Sequence, residues 1–220
     1  MKLTRMKIKN TLVLLGISTC LLTSCVSNPE GERAATTDAI ETNALTKGTT
    51  LTIDTNASQV IWHANKVSKE HFGEVNVTSG SVNVSDEGKI TGGSFSIDMN
   101  TIDVQDTEPG DSRDRLTKHL KNEDFFDVSK FPTAIFEITS VKEGITANDL
   151  VVAGNLTMHG VTKNITFNAK ITESTSASVI ADADFNVARE DWGVSYQGKA
   201  DDLISKEFNL KIKIVAKNQA

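Results

Sequence analysis

From Thr49 onward, hydrophobic residues recur at every second position, the period of a half-buried β-strand. Leu51 and Ile53 alternate first, then Val60, Trp62 and Ala64. Val75 and Val77 share one parity, whereas Val82 and Val84 take the other across Ser79-Gly80-Ser81, which predicts a bulge or bend at Gly80. Further alternating sets are Phe95/Ile97/Met99, Ala134/Phe136/Ile138, Val152/Leu156/Met158 and Ile165/Phe167/Ala169/Ile171. Val179/Ala181/Ala183/Phe185/Val187 follow, and Phe208/Leu210/Ile212/Ile214 close the chain.

The pattern predicts about eight long strands joined mostly by short turns. The exception is the 101–132 connection, where SRDRLTKHL forms one or two helical turns. Strand interiors without edge-blunting prolines favour closure into an extended, eight-stranded antiparallel up-and-down barrel. A two-sheet sandwich satisfies the same alternation and stays open. Such a barrel encloses an apolar interior with room for packing or for one ligand.

Residues 1–48 lack this period. Lys2, Arg5, Lys7 and Lys9 precede the short apolar run TLVLLGISTCLL, an export-signal pattern too short to span a membrane. LTSC ends this segment and resembles the lipobox of bacterial lipoproteins, which implies cleavage after residue 24 and acylation of Cys25 by chains such as palmitate. Residues 25–48 then read as the acylated cysteine and a flexible tether of on the order of 25 Å. A short surface helix over DAIETNAL is the other reading. The folded domain is expected over 49–220.

Cleavage sharpens the charge balance. The 220-residue chain has 23 basic and 29 acidic residues, and loss of four basic residues with the signal takes the net charge from −6 to −10. Such an acidic body is a poor match for nucleic acid or anionic membrane surfaces. Membrane residence is therefore expected from the lipid anchor. Cys20 leaves with the signal and Cys25 is acylated, so the domain has no thiol for a disulfide, a nucleophile or a metal.

One stretch resists the period. In HLKNEDFFDVSKFPTAIF, Phe125 and Phe126 are adjacent and flanked by Asp124 and Asp127. A one-sided strand buries only one of two neighbours. This stretch, GNLTMHGVTKNITFNAKI and AREDWGVS together resemble the YceI-like family of bacterial envelope proteins, over essentially all of residues 50–217. Departures are small: Asn122 for serine, Phe131 for tyrosine and Met158 for leucine. The resemblance implies a lipocalin-like barrel that holds a polyisoprenoid or similar long-chain amphiphile. On that basis the Phe125/Phe126 pair lies on an irregular segment crossing a barrel end. Either one ring faces the cavity and the other the outer wall, or both plug the barrel.

Candidate wall residues, placed by alternation and by that segment, are Trp62, Phe95, Phe125, Phe126, Phe136, Ile138, Met158, Phe167, Phe185 and Trp192. Arg113, Arg115 and Lys118 cluster on the long connection, and with His119 and His159 they are candidates for a ligand headgroup. Solvated helix faces and turn hydrogen bonds explain the same residues without a ligand. Arg189, Glu190 and Asp191 read as a loop network around Trp192. His63, His71, His119 and His159 show no metal-ligand spacing, so no metal or cofactor is expected. Sequon-like matches at Asn76 and Asn155 are assigned no function.

These readings converge on a lipid-anchored, non-enzymatic carrier of an isoprenoid or fatty-acid-like lipid. A lipid-modifying enzyme with His119 or His159 as base, and a filled-barrel interaction module, are the alternatives. Val26 after the acylated cysteine resembles outer-membrane sorting patterns. A homodimer is compatible with the sequence.

Overall fold

The computed structural model describes residues 26–42 and 48–218. The export signal and Cys25 lie outside the described residues, as do positions 43–47 of the expected tether. The strands are β1 (Glu32–Arg33), β2 (Ala35–Asp38), β3 (Thr49–Ile53), β4 (Gln59–Lys66), β5 (Glu70–Val84), β6 (Ile90–Val104), β7 (Thr133–Glu143), β8 (Asp149–Met158), β9 (Val161–Ser174), β10 (Ser178–Ala188), β11 (Gly198–Lys199) and β12 (Asp202–Lys217). Helix α1 (Asp111–Lys121) lies between β6 and β7, covering the SRDRLTKHL stretch, and a 3₁₀ turn spans Arg189–Trp192.

Strands β3 and β4 lie end to end between β12 and β5 and act as one stave. From there β5, β6, β7, β8, β9, β10 and β12 follow as antiparallel neighbours, and β12 returns to β3 and β4. The result is a closed eight-staved up-and-down barrel, which removes the sandwich alternative. Its staves are long: β5 and β6 have 15 residues each and β12 has 16. At ~3.3 Å per residue such a strand runs roughly 50 Å.

The parity switch in β5 arises two residues before Gly80. Val77 pairs with Ile97 and Ser79 with Ser96, so Thr78 is the extra residue of a bulge, and its hydroxyl donates to Ser96 O. Gly80 has a different task. A Cβ there would stand 2.6 Å from Ser94 O, so glycine permits close approach of β6.

The barrel is splayed at the α1 end. Strands β9 and β10 pair only from Ser174 and Val179 to Ala169 and Ala183. Beyond that point the N-terminal segment fills the seam. Its β1 runs parallel to Phe185 and Asn186 of β10, and its β2 runs antiparallel to residues 163–166 of β9. Ala34, between them, is 3 % exposed and donates its N–H to Asn186 O at 2.9 Å. Residues 26–42 are therefore docked on the barrel wall rather than forming a free tether, and 39–42 carry no helix.

Buried asparagines hold this segment. Asn186 Nδ2 donates to Pro29 O at 2.8 Å and to Glu207 Oε2 at 3.2 Å. Asn209 Nδ2 donates to Asn186 Oδ1 and Asp184 Oδ1. Gly31, at φ +139, lies so close to both amides that a Cβ would stand 2.5 Å from Asn186 Oδ1. Further along, Asn155 bonds both the N–H and the C=O of Ile40. The sequon-like Asn155, assigned no function from sequence, is thus a docking residue.

Asn186→Ala removes two donated bonds and one accepted bond from a 2 %-exposed site. It is expected to cost about 2–4 kcal/mol in urea unfolding and to expose residues 26–42 to protease. At the start of β12, the Lys66 ammonium, and after it Ser68, hold the Asp202 carboxyl at about 2, below its ordinary 3.8. A depressed folded pKa stabilises above the unfolded value and is lost as pH falls through the folded one. Urea midpoints of wild type and Asp202→Asn are therefore expected to converge between about pH 4 and about pH 2, with the variant less acid-sensitive across that window.

Candidate functional site

The inward positions enclose a cavity of about 220 Å³. Ile90, Ile171 and Ile214 line it toward one end, and Leu120, Phe125 and Phe126 toward the α1 end. Many inward side chains, among them Ile97, Phe136, Phe167, Leu210 and Ile212, are only partly buried. They border the hollow as well as their neighbours on the wall, so the barrel is not packed solid.

The wall carries a belt of rings. Phe95 of β6 lies 6.2 Å from Phe136 of β7, and Phe136 lies 5.7 Å from Phe167 of β9. Phe167 stacks on Phe185 of β10 at 4.1 Å. The intervening stave β8 supplies Gly154 beneath Phe136, where a Cβ would stand 2.3 Å from the ring. A glycine on β8 thus lets an aromatic from β7 lie flat against the wall.

All the expected wall residues line the cavity except Trp192. Trp192 is completely buried in the end structure, where its indole N–H donates to Leu156 O at 3.0 Å. It sits in the 3₁₀ turn after β10, past the reach of strand alternation. Trp62, by contrast, lies in the wall with its N–H buried and unpaired.

Both neighbouring rings of the FF pair reach the cavity. Residues 120–128 form overlapping turns: Phe125 N–H donates to Asn122 O, Phe126 N–H to Leu120 O and Asp127 N–H to Asn122 O. Successive side chains on such a turn diverge by about 100° rather than 180°, so both can point inward. Phe125 packs against His119 and Tyr196, and Phe126 against Phe208. Asp127 is not left in water. It is 7 % exposed at φ +40, and its carboxylate accepts from Lys130 and Ser129. The Lys130 ammonium, chiefly, holds that carboxyl below its ordinary range.

None of the five expected headgroup residues lines the cavity. Arg113 is committed to Asp103, which it holds below the usual carboxylate range. Arg115 is exposed and donates to Ser112 Oγ. His119 Nε2 lies 3.0 Å from Asp124. His159, at φ +51, forms a tight turn with Gly160 and donates Nδ1–H to Trp192 O at 2.9 Å. Lys118 is exposed on α1. Helix α1 lies against β6 with its basic side chains directed away from the interior, which is why charge clustering in sequence pointed to the wrong surface. The cation that does line the cavity is Arg189. Among the described residues, no three of His, Cys, Asp and Glu are grouped as a metal site.

A closed antiparallel barrel around an apolar hollow, capped by a short helix at one end, defines a class of small, lipocalin-like β-barrels. Within that class, the sequence model of the YceI-like domain matches residues 51–216, and the chain belongs to this family. Protein YceI of Salmonella arizonae and of Salmonella newport are each 38 % identical over 100 residues, 46 % of this chain. The match covers only 42 % of those relatives. Among solved structures, BcnA of Burkholderia cenocepacia superposes with a TM-score of 0.61 at 20 % identity, covering 75 % of this chain and 99 % of BcnA. A polyisoprenoid-binding domain from Saccharophagus degradans, implicated in plant cell wall breakdown, gives 0.57 at 13 % identity over 77 % and 98 %. These structures share the fold.

The two indoles have opposite expectations. Trp192→Phe removes the buried hydrogen bond to Leu156 O and leaves a void at a fully buried site, and is expected to cost about 1–3 kcal/mol. Trp62→Phe removes an unpaired buried donor and is expected to leave stability within about 0.5 kcal/mol or raise it. Parallel thermal and urea unfolding of the two variants checks the contrast.

Proposed function

We propose that this chain is a non-enzymatic carrier or buffer of one long-chain amphiphile, a polyisoprenoid or similar lipid, held lengthwise in the barrel. The observation that carries the reading is the apolar hollow bounded by inward side chains along the staves. The named ligand class of the Saccharophagus degradans domain agrees with it. In this reading acylated Cys25 anchors the protein in the bacterial envelope, at the outer membrane, and a single barrel suffices whether or not two copies pair.

The energetics suit reversible loading. Burying ~15 methylenes gains roughly 12 kcal/mol relative to water. A bilayer offers nearly the same, so transfer between membrane and barrel is close to neutral. A carrier of this kind works only beside a membrane, which gives the anchor its purpose. The cavity, at about 220 Å³, lies below the ~300–1,000 Å³ of typical ligand sites. A long chain must therefore push the walls outward, and the partly buried Leu, Ile and Phe side chains have rotamers free to do so.

Native mass spectrometry of protein purified from its membrane-bearing host is expected to show one lipid per barrel. Repeated recovery of lipid-free protein that also takes up none from vesicles would end the carrier reading. Ala181→Trp, which places an indole in the hollow beside Ile171 and Ile214, is expected to abolish loading while the protein remains folded by circular dichroism.

A further inference from the structure

Arg189 is 4 % exposed and contributes to the cavity wall at the α1 end. Its Nε donates to Ser205 O at 2.8 Å and its Nη1 to Val194 O at 2.6 Å. Among the described residues, no carboxylate lies within ion-pair distance of it. The acids nearest in the chain and wall are otherwise placed. Glu207 accepts from Asn186 and lies 3.5 Å from Arg33, and Asp191 lies 3.8 Å from Arg33. Burial lowers the Arg189 pKa from its ordinary value, with Glu190 opposing the shift, yet a guanidinium stays charged across the physiological range.

The cavity wall thus contains a buried positive charge that no carboxylate pairs with directly: two carbonyl oxygens accept from it, and Glu190 acts on it only at a distance. Burying an ion without a counter-charge is costly, and nothing in an apolar hollow requires one. A clamp between β12 and the loop after the 3₁₀ turn needs only the Nε and Nη1 donors already used. The guanidinium has five N–H donors in a fixed fork, so Nη2 is left to meet an acceptor from within. Asp182 and Glu207, the other ionisable groups bordering the cavity, alternate outward on their strands, and Arg189 is the one cation that lines it among the described residues. The opposite end, at Ile90, Ile171 and Ile214, is apolar.

We propose that Arg189 is the headgroup-binding residue of the barrel, and that the ligand is an acidic amphiphile whose carboxylate or phosphate oxygen pairs with this guanidinium while its chain extends toward Ile90 and Ile214. The inference rests on the carrier reading and deepens it by fixing the headgroup's charge and the ligand's orientation. It also moves the headgroup site from α1 and the histidines to the splayed end of the barrel, beneath the docked N-terminal segment.

The test uses delipidated full-length protein and displacement of the neutral probe N-phenyl-1-naphthylamine. Hexadecanoic acid is compared with hexadecan-1-ol, and farnesyl phosphate with farnesol. The acidic member of at least one pair is expected to bind about 10- to 100-fold more tightly than its alcohol, as a charge-assisted hydrogen bond allows. Whichever pair shows the preference identifies carboxylate or phosphate. Arg189→Gln is expected to lose most of that preference, and Arg189→Lys to keep part of it. Equal affinity for acid and alcohol in both pairs overturns the inference while leaving the carrier reading in place. So does an Arg189→Gln variant that binds acid and alcohol more weakly by the same factor, the signature of a merely structural clamp. Failure of all four compounds to displace the probe overturns the carrier reading and this inference together. Should Arg189→Gln not fold, the wild-type comparison alone decides.

Discussion

A β-barrel has to leave no strand edge unpaired, and in this molecule that requirement is met at the β9–β10 seam by a segment from outside the meander. The two staves hold each other only over their far halves. Near α1 they part, and their backbone groups pair with β1 and β2 instead. Unpaired buried N–H and C=O groups would cost as much as lost hydrogen bonds. The seam therefore forces residues 26–42 into a structural role. The asparagines at 155, 186 and 209 follow from the same need, because an irregular segment laid over a barrel wall presents carbonyls and amides out of register with any strand. Amide side chains, with both donors and acceptors, can meet them.

The interior obeys a different rule. Eight staves set a diameter at which alternating side chains just reach the axis, and here many of the inward residues are small or lie flat. Ala134, Ala169, Ala181 and Ala183 leave space, and Gly154 lets Phe136 lie against the wall. The hollow is written into these positions. It stays hollow because each stave is individually hydrogen-bonded, so walls need no central packing to hold their spacing.

That difference explains what the sequence made legible. Strand faces were readable because side-chain direction in a strand depends only on parity, and every alternating set from Val60 to Ile214 faces as expected. The break in parity between Val77 and Val82 was also visible, although the extra residue is Thr78 and not Gly80. Where backbone leaves the strand period, parity says nothing. Trp192 and Arg189 sit in a 3₁₀ turn, and their places were exchanged: the indole reads as wall and is end structure, whereas the arginine reads as loop anchor and lines the cavity. Docking of 26–42 left hardly any signal, since its buried contacts are made by backbone, by Gly31 and by Ala34, and the side chains it adds, Glu32, Arg33 and Asp38, read as ordinary surface charges in a polar run.

The seam and the buried charge meet at one end of the barrel. Arg33 of the docked segment reaches Glu207 and Asp191, which border the strand and turn that carry Arg189. Any outward movement of residues 26–42 would loosen Asn186 and Glu207 first, and with them the β12 segment whose Ser205 carbonyl holds the Arg189 guanidinium. The far end has no comparable gap, because there β9 and β10 stay paired to Ser174 and Val179 across a single bulge at Thr172, and β10 and β12 pair to Ser178 and Lys217. An amphiphile entering a barrel must pass its chain through an opening and leave its polar end where water or charge can meet it. Only the splayed end combines an interruptible wall with a polar terminus, so entry and headgroup binding are expected at the same place. The barrel's weakest seam, the buried Arg189 guanidinium and the docked residues 26–42 thus lie on one side of the molecule.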